Sequence, residues 1–163
     1  CFERLYSYYQ EHGISADIVQ AVLLKDGTNL LDIDRRIQAV KGFRELPEAL
    51  NLAAANKRVQ NILNKNANGM RFPAVTADLL QEPAERNLFE ALQAKSDESK
   101  NLLERQSYQE CLLSLAELNQ PIAAFFDDVM VMCEDEAVKH NRLALLQQLR
   151  DLFLQVADIS VLQ

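Results

Sequence analysis

Apolar residues recur along most of the chain at the three- and four-residue spacing of a helix face. The pattern predicts a first helix with Phe2, Leu5, Tyr6 and Tyr9 inward, and Gly13 ends it. Later helices are predicted in the same way. Their inward residues are Ile18, Val19, Val22 and Leu23 in the second; Ile33, Ile37, Val40 and Phe43 in the third; Leu52, Ala55, Val59, Ile62 and Leu63 in the fourth; Leu88, Phe89 and Leu92 in the fifth; and Val138, Leu145, Leu146, Leu149, Leu152, Phe153 and Val156 in the last.

Glycine and proline are scarce and serve mainly to separate the helices. Asp26 and Gly27 are predicted to end the second helix. Pro47 suits the first residue of the fourth helix, which we expect to continue to about Asn64. Residues 66–76 have no sustained period and are predicted to form a loop, and Pro83 opens the next helix, which reaches about Leu103.

The later boundaries rest on capping signals. Ser107 and Glu110 have the spacing of a capping box, which predicts a helix from there to about Leu118. Pro121 starts a short helical turn that ends at Phe125 and Phe126, and Asp135 caps the last helix.

The segment 127–134 breaks the helical pattern between these elements. Residues 129–133 are the best strand candidate, and Met130 and Met132 are expected to pack in the core. The paired acids Asp127 and Asp128, like those of 134–136, are interpreted as helix caps and as favourable charges at a helix amino terminus.

Together these patterns predict an all-α bundle of about seven to eight helices. We expect a helical segment over 1–70, which belongs to a preceding domain or packs on the next, and a second bundle over 71–163. No apolar run is long enough for a membrane span, and no secretory signal is present. Because Cys1 leads directly into an amphipathic stretch, we interpret the chain as a piece of a longer polypeptide.

Charge is distributed unevenly along the chain. The formal net charge is -7, but residues 35–71 contain eight basic and two acidic residues, an excess of +6 that falls to +4 if Asp32 and Asp34 are included. The remainder must then carry about -13. Such a distribution allows one basic face towards a polyanion on an otherwise acidic molecule.

The fourth helix concentrates this basic character. Lys57, Asn61 and Lys65 are spaced four residues apart, so they follow one side of the helix with Arg58 beside them. Lysine and arginine suit phosphate contacts, and asparagine can donate to and accept from a base edge. The alternative is an ordinary solvated helix face.

Residues for chemistry or metal binding are not evident. The sequence has no phosphate-binding glycine loop, no zinc signature and no nucleophile with a base, so we predict neither a catalytic nor a metal site. Cys1, Cys111 and Cys133 are expected to be buried reduced thiols, and His12 and His140 surface or capping residues.

Three segments carry a resemblance to a known family. RELPEALNLAAANKRVQNIL at 44–63, FFDDVMVM at 125–132 and NRLALLQQLRDLFLQVADISVLQ at 141–163 resemble the beta subunit of bacterial glycyl-tRNA synthetase. The last two are also similar to the DALR-type helical anticodon-binding domain shared with arginyl-tRNA synthetases. The resemblance covers nearly the whole chain, least clearly 74–106, and implies a DALR-type domain in the carboxy-terminal half.

The resemblance also implies a function. In that family two alpha and two beta subunits ligate glycine to its tRNA with ATP and magnesium, and the carboxy-terminal part of beta engages the anticodon. Glycine tRNAs carry cytosine at the second and third anticodon positions, whose edges arginine, asparagine and aspartate can read. The implied partners are therefore glycine tRNA and the alpha subunit in the cytoplasm, with no DNA, no membrane and no cofactor bound by this chain.

Two parts of the chain carry the RNA contacts that we expect from the basic residues of 35–71 and from the resemblance. Phe125 and Phe126 match the family around the break before the last helix, but we expect them to be core residues rather than a stacking platform. The alternative function is a helical scaffold that contacts only protein, such as the partner subunit. The candidate RNA-binding residues are Arg35, Arg36, Asn56, Lys57, Arg58, Asn61, Lys65, Arg71 and Asp127.

Overall fold

The computed structural model describes residues 2–23, 30–67 and 72–162, and within these ranges it contains eight α-helices and no strand. The predicted all-α bundle is therefore confirmed. Two 3-10 turns, Ala77–Leu79 and Ile159–Val161, complete the regular structure. The helices are α1 (Phe2–Glu11), α2 (Ala16–Leu23), α3 (Leu30–Arg44), α4 (Ala49–Ala67), α5 (Pro83–Glu104), α6 (Tyr108–Ala116), α7 (Asn119–Asp128) and α8 (Glu136–Leu154).

One hydrophobic core extends from α1 to the end of the described chain. Its largest fully buried side chains include Phe43, Phe125 and Phe153. Helix α3 packs on α6, α5 packs on α6 and α7, and α4 packs on α8 and the final 3-10 turn. The backbone N–H of Asp158 donates to the carbonyl of Ala21 at 2.9 Å. The first helices thus share a core with the later ones, while the proposed division at residue 70 stays a prediction.

The first helix ends as its sequence predicts. Gly13 has a φ of 77°, in the left-handed region that favours glycine, and the backbone N–H of Ile14 returns to the carbonyl of Tyr9 at 2.8 Å. The predicted end of the second helix, Asp26 and Gly27, lies outside the described residues.

Helix α4 differs from its prediction at both ends. It begins at Ala49 rather than Pro47, because residues 45–48 form the turn that joins it to α3. It continues to Ala67, about three residues beyond the expected end near Asn64. The first residues of the predicted 66–76 loop therefore belong to the helix, and Asn66 lies on its last turn.

The capping predictions are right for α8 and wrong for α6. Asp135 accepts from the backbone N–H groups of Ala137 and Val138, at 3.0 and 3.3 Å. Helix α6 starts after Ser107 as expected, but the Ser107 side chain makes no capping hydrogen bond. A capping interaction occurs instead at α5, where Glu85 Oε1 accepts from the backbone N–H of Glu82 at 3.0 Å.

Helix α7 is a full helix rather than the short turn that was predicted. Pro121 is its third residue, where the missing N–H costs nothing because the first four amides of a helix have no internal partner. The helix includes Asp127 and Asp128 in its last turn. Their interpretation as charges at an amino terminus is therefore wrong, since they lie at the unfavourable carboxyl end.

The segment 129–135 is irregular and forms no strand. Val129 and Val131 point into the core, but Met130 is 71% exposed and Met132 is 48% exposed. The expectation that both methionines pack in the core is wrong. Valine and methionine do alternate over residues 129–132, but only the two valines are buried.

The loop before α5 is attached to α8 through side-chain amides. The backbone N–H of Phe72 donates to Gln147 at 2.9 Å, and that of Thr76 donates to Asn141 at 2.7 Å. Asn141 returns a hydrogen bond to the Thr76 carbonyl at 3.2 Å. These contacts satisfy a loop backbone that has no regular partner of its own.

Candidate nucleic-acid interface

Helix α4 has one apolar side and one polar side. Leu52, Val59 and Leu63 are buried against the core, while Lys57 and Lys65 are exposed along the opposite side. Among the residues that the structure describes, no carboxylate lies within ion-pair distance of either lysine. Asn61 lies between them on the same exposed row. We call Lys57, Arg58, Asn61 and Lys65 the α4 stripe.

A stacked pair joins the α4 stripe to the end of α7. The guanidinium carbon of Arg58 lies 4.2 Å from the ring centroid of Phe126, and Arg58 itself is exposed. Phe125 is fully buried and meets Phe126 edge-on, with ring centroids 5.6 Å apart. Asp127 follows and is exposed. The two parts of the chain in which candidate residues were predicted are therefore adjacent.

Arg36 is engaged in packing rather than presented at the surface. It pairs with Asp32 at 2.7 Å, donates to the carbonyls of Gln155 and Val156 at 2.7 Å, and lies 4.3 Å over the Tyr108 ring. Burial raises the pKa of Asp32, but hydrogen bonds from Tyr108 and Arg36 outweigh it and hold that pKa below its usual range. This geometry argues against an RNA contact by Arg36.

The remaining candidates have different surroundings. Arg35 is exposed and donates to Gln106 in the turn between α5 and α6, away from the α4 stripe. Asn56 is 2% exposed and donates to the carbonyl of Leu52 at 2.9 Å, so its side chain is part of the core. Arg71 lies outside the described residues. Because it is buried, Asn56 does not present its amide at the surface.

The described basic residues of the range 35–71 are thus divided between α3 and α4. On α3, Arg36 pairs with Asp32 and Arg44 pairs with Asp17 at 2.9 Å. On α4, the cations have no acidic partner among the described residues. Helix α4 therefore carries the denser row of exposed cations, and the exposed Arg35 adds a separate positive charge on α3.

Two depressions flank the α4 stripe, and Asn61 lines both. One, of about 500 Å³, lies towards the final 3-10 turn and includes Leu50 and Ser160. The other, of about 320 Å³, is lined by Asn61, Ile62, Lys65, Asn66 and Met132. Asn66 and Met132 were not among the predicted site residues. The sequence predicts Asn66 in a loop and Met132 in the core.

In the described ranges, no group of three or more His, Cys, Asp or Glu side chains could hold a metal ion. The same ranges contain no helix with the length and apolar character needed to cross a membrane. Cys111 is buried, which raises the pKa of its thiol to about 11, whereas Cys133 is only partly buried.

The comparison with protein families decides the assignment of this bundle. The family described as "DALR anticodon binding domain" matches residues 52–160, about two thirds of the chain. The chain belongs to the DALR anticodon binding domain family. The match begins within α4 just before the α4 stripe and includes α5 to α8, so the exposed cations and the end of α7 both lie inside it.

Individual proteins similar to the chain share one description. It is 50% identical over 160 residues to "Glycine--tRNA ligase beta subunit" of Vibrio parahaemolyticus, and 51% and 47% identical to proteins of the same description from Colwellia psychrerythraea and Marinobacter nauticus. Each alignment covers 98% of this chain and 23% of the relative. The chain thus spans about a quarter of the length of the proteins it matches.

Proposed function

We propose that this chain binds the anticodon arm of glycine tRNA, as part of a glycine–tRNA ligase. The observation that carries the proposal is the α4 stripe within a DALR-family bundle, beside Phe126 and Asp127. Lys57 and Lys65 suit the phosphates, because both are exposed ammonium groups without an acidic partner among the described residues. Arg58 and Asn61 carry the planar or amide donors that base edges require.

The remainder of the proposal concerns the complete enzyme. The relatives' description as a ligase beta subunit supports an alpha subunit as the partner. An assembly of two alpha and two beta subunits in the cytoplasm is what the family resemblance implies. ATP and magnesium would be used by the complete enzyme, outside this chain. We therefore expect no glycine-dependent pyrophosphate exchange from this chain alone, and such exchange would refute a purely accessory role.

The direct test is a titration of the chain with glycine tRNA and with the same tRNA carrying a different anticodon, repeated over a range of salt concentrations. We expect tighter binding to the glycine anticodon. Replacing Lys57 or Lys65 with alanine should weaken both tRNAs similarly and make the slope of log affinity against log salt shallower by about 0.7 per lost phosphate contact. Lys100→Ala, an exposed lysine on α5, is the matched control and should leave the slope unchanged.

The variants Arg58→Ala and Asn61→Ala should act differently from the lysine variants. If either side chain reads a base, discrimination between the two tRNAs should shrink by about 1–3 kcal/mol. The rival function, a helical scaffold that contacts only protein, predicts no preference for glycine tRNA and no effect of any α4 stripe variant. That outcome would refute RNA binding at this surface.

A further inference from the structure

A narrow groove of about 310 Å³ lies between α5, α8 and the loop that precedes α5. Its lining residues come from 89–96 on α5, from 144–155 on α8 and its carboxyl end, and from 72–75 in the loop. None of the described residues of α4 lines it, so the groove is separate from the α4 stripe. We call it the α5–α8 groove.

The α5–α8 groove has an apolar interior. Leu92 and Leu152 are buried, whereas the rings of Phe72 and Phe89 are only partly buried. Phe72 packs against His140, with ring centroids 5.7 Å apart. A further apolar side chain inserted here would remove the remaining exposed surface of both phenylalanines from water, which is favourable.

Gln147 is a polar side chain that is almost completely buried and lines this groove. It is 5% exposed, and its Oε1 accepts from the backbone N–H of Phe72 at 2.9 Å. Because an N–H only donates, this bond fixes the orientation of the amide and leaves Nε2 as a donor. Gln147 Nε2 has no acceptor among the described residues. A buried donor without a partner costs free energy, so an acceptor on a bound molecule would be stabilised there.

Three further glutamines, Gln93, Gln148 and Gln155, line the groove. A glutamine amide both donates and accepts, which matches the N–H and C=O groups of a peptide backbone. The lining of 144–155 extends over about 16 Å at the rise of a helix, which is the length of about five residues of extended chain. The groove therefore has the length and the hydrogen-bonding groups for a short extended peptide.

The charge of the lining disfavours an anionic occupant. Asp151 lines the groove, and the described lining residues include no lysine or arginine. Asp151 also pairs with Arg150 at 3.5 Å, but Arg150 does not line the groove. A phosphate or carboxylate placed beside an aspartate without a cation is unfavourable. The groove is therefore complementary to a neutral or basic segment and not to the RNA backbone.

We infer that the α5–α8 groove binds an extended segment of another protein chain, which inserts one aromatic or large aliphatic side chain beside Phe72 and Phe89. Gln147 Nε2 donates to a backbone carbonyl of that segment, and the other glutamines pair with its neighbouring amides. Asp151 favours a lysine or arginine next to the inserted residue. This interaction does not depend on RNA binding by the α4 stripe.

The test adds three capped pentapeptides to the isotope-labelled chain and follows the side-chain amide resonances by NMR. The first peptide has a central phenylalanine between two lysines, the second has alanine in place of the phenylalanine, and the third has glutamates in place of the lysines. The first should shift the amide resonance of Gln147. The alanine peptide should bind roughly ten- to a hundredfold more weakly, because it lacks the buried ring, and the glutamate peptide should also bind more weakly. Equal affinities for the three peptides would overturn the inference.

Variants of the chain locate the peptide. Gln147→Glu keeps an acceptor for the Phe72 N–H but removes the donor, so it should weaken binding of the first peptide. Gln93→Ala and Gln148→Ala change more exposed amides of the lining and should each weaken it by about two- to tenfold, whether or not the Gln147 variant folds. The matched control is Gln120→Ala, an exposed glutamine of α7 outside the groove, which should bind as the unaltered chain does. Unchanged binding by all three lining variants would overturn the groove as the site.

Two competitors test the class of occupant. Phenylalanine amide alone should bind much more weakly than the first peptide, and equal affinity would replace the peptide groove with a small-molecule pocket. An RNA hairpin with the anticodon stem and loop of glycine tRNA should leave the peptide bound, because the described lining carries no cation. Displacement of the peptide by the hairpin would place RNA in the groove and overturn the inference.

Discussion

The buried ion pair between Arg142 of α8 and Glu85 of α5 should be the most sensitive single interaction in the bundle. Arg142 Nη2 lies 2.8 Å from Glu85 Oε1, and the two side chains are 6% and 0% exposed. Arg142 Nη1 also donates to the backbone carbonyl of Met130. The pair therefore connects α5 and α8 and holds the segment that carries Met132.

The expected cost follows from what each substitution leaves behind. Arg142→Met roughly fills the space but leaves the buried Glu85 carboxylate with no charged partner, only the backbone N–H of Glu82. Loss of one partner of a buried pair typically costs about 3–5 kcal/mol. That is a large fraction of the roughly 5–15 kcal/mol by which a domain is usually stable. The intact pair is not ideal either, because Glu85 Oε2 and Arg142 Nε have no hydrogen-bond partner among the described residues. The double variant Arg142→Met with Glu85→Leu should therefore be less destabilised than either single change.

Urea unfolding followed by far-ultraviolet circular dichroism measures all four members of this cycle. A coupling energy of the two sites well above the experimental error is expected, since they are in direct contact. A cost below about 1 kcal/mol for Arg142→Met would show that the carboxylate is not held in a dry site, and the reasoning would be wrong.

Three further predictions concern local features. Asp127→Asn should raise the thermal midpoint slightly, by the equivalent of about 0.3–1 kcal/mol, because it removes a negative charge from a helix carboxyl end. The low pKa of Asp32 means that its stabilising contribution is complete above about pH 4 and is lost as pH falls through the folded-state pKa, so Asp32→Asn should flatten acid unfolding curves. Mass spectrometry after iodoacetamide treatment at pH 8 should find Cys133 labelled before Cys111.

The fold could be predicted from the sequence to the extent that it depends on local periodicity. The third helix shows this, since Ile33, Ile37 and Phe43 repeat at helical spacing and are all buried. The boundaries were less predictable because tertiary contacts move them. Helix α4 starts after Pro47 because a turn from α3 needs those residues, and Ser107 does not cap although its spacing to Glu110 is suitable.

The candidate site shows the same division between local and long-range information. Spacing alone predicts that Lys57, Asn61 and Lys65 share an exposed row, because that relation is internal to one helix. It cannot reveal that Asn56, one residue before Lys57, bonds back to Leu52 inside the core, nor that Arg58 stacks on a ring nearly seventy residues away.

Net charge taken from composition is a poor guide to a binding surface, because it does not say which charged side chains are paired. An arginine counts equally towards net charge wherever it lies, yet Arg36 and Arg44 are paired with carboxylates, whereas Arg58 has no carboxylate partner among the described residues. Met132 is the converse case, since hydrophobicity predicts burial and only the three-dimensional arrangement shows it exposed beside Asn66. Whether an apolar side chain is exposed therefore depends on long-range packing, which neither composition nor helical spacing encodes.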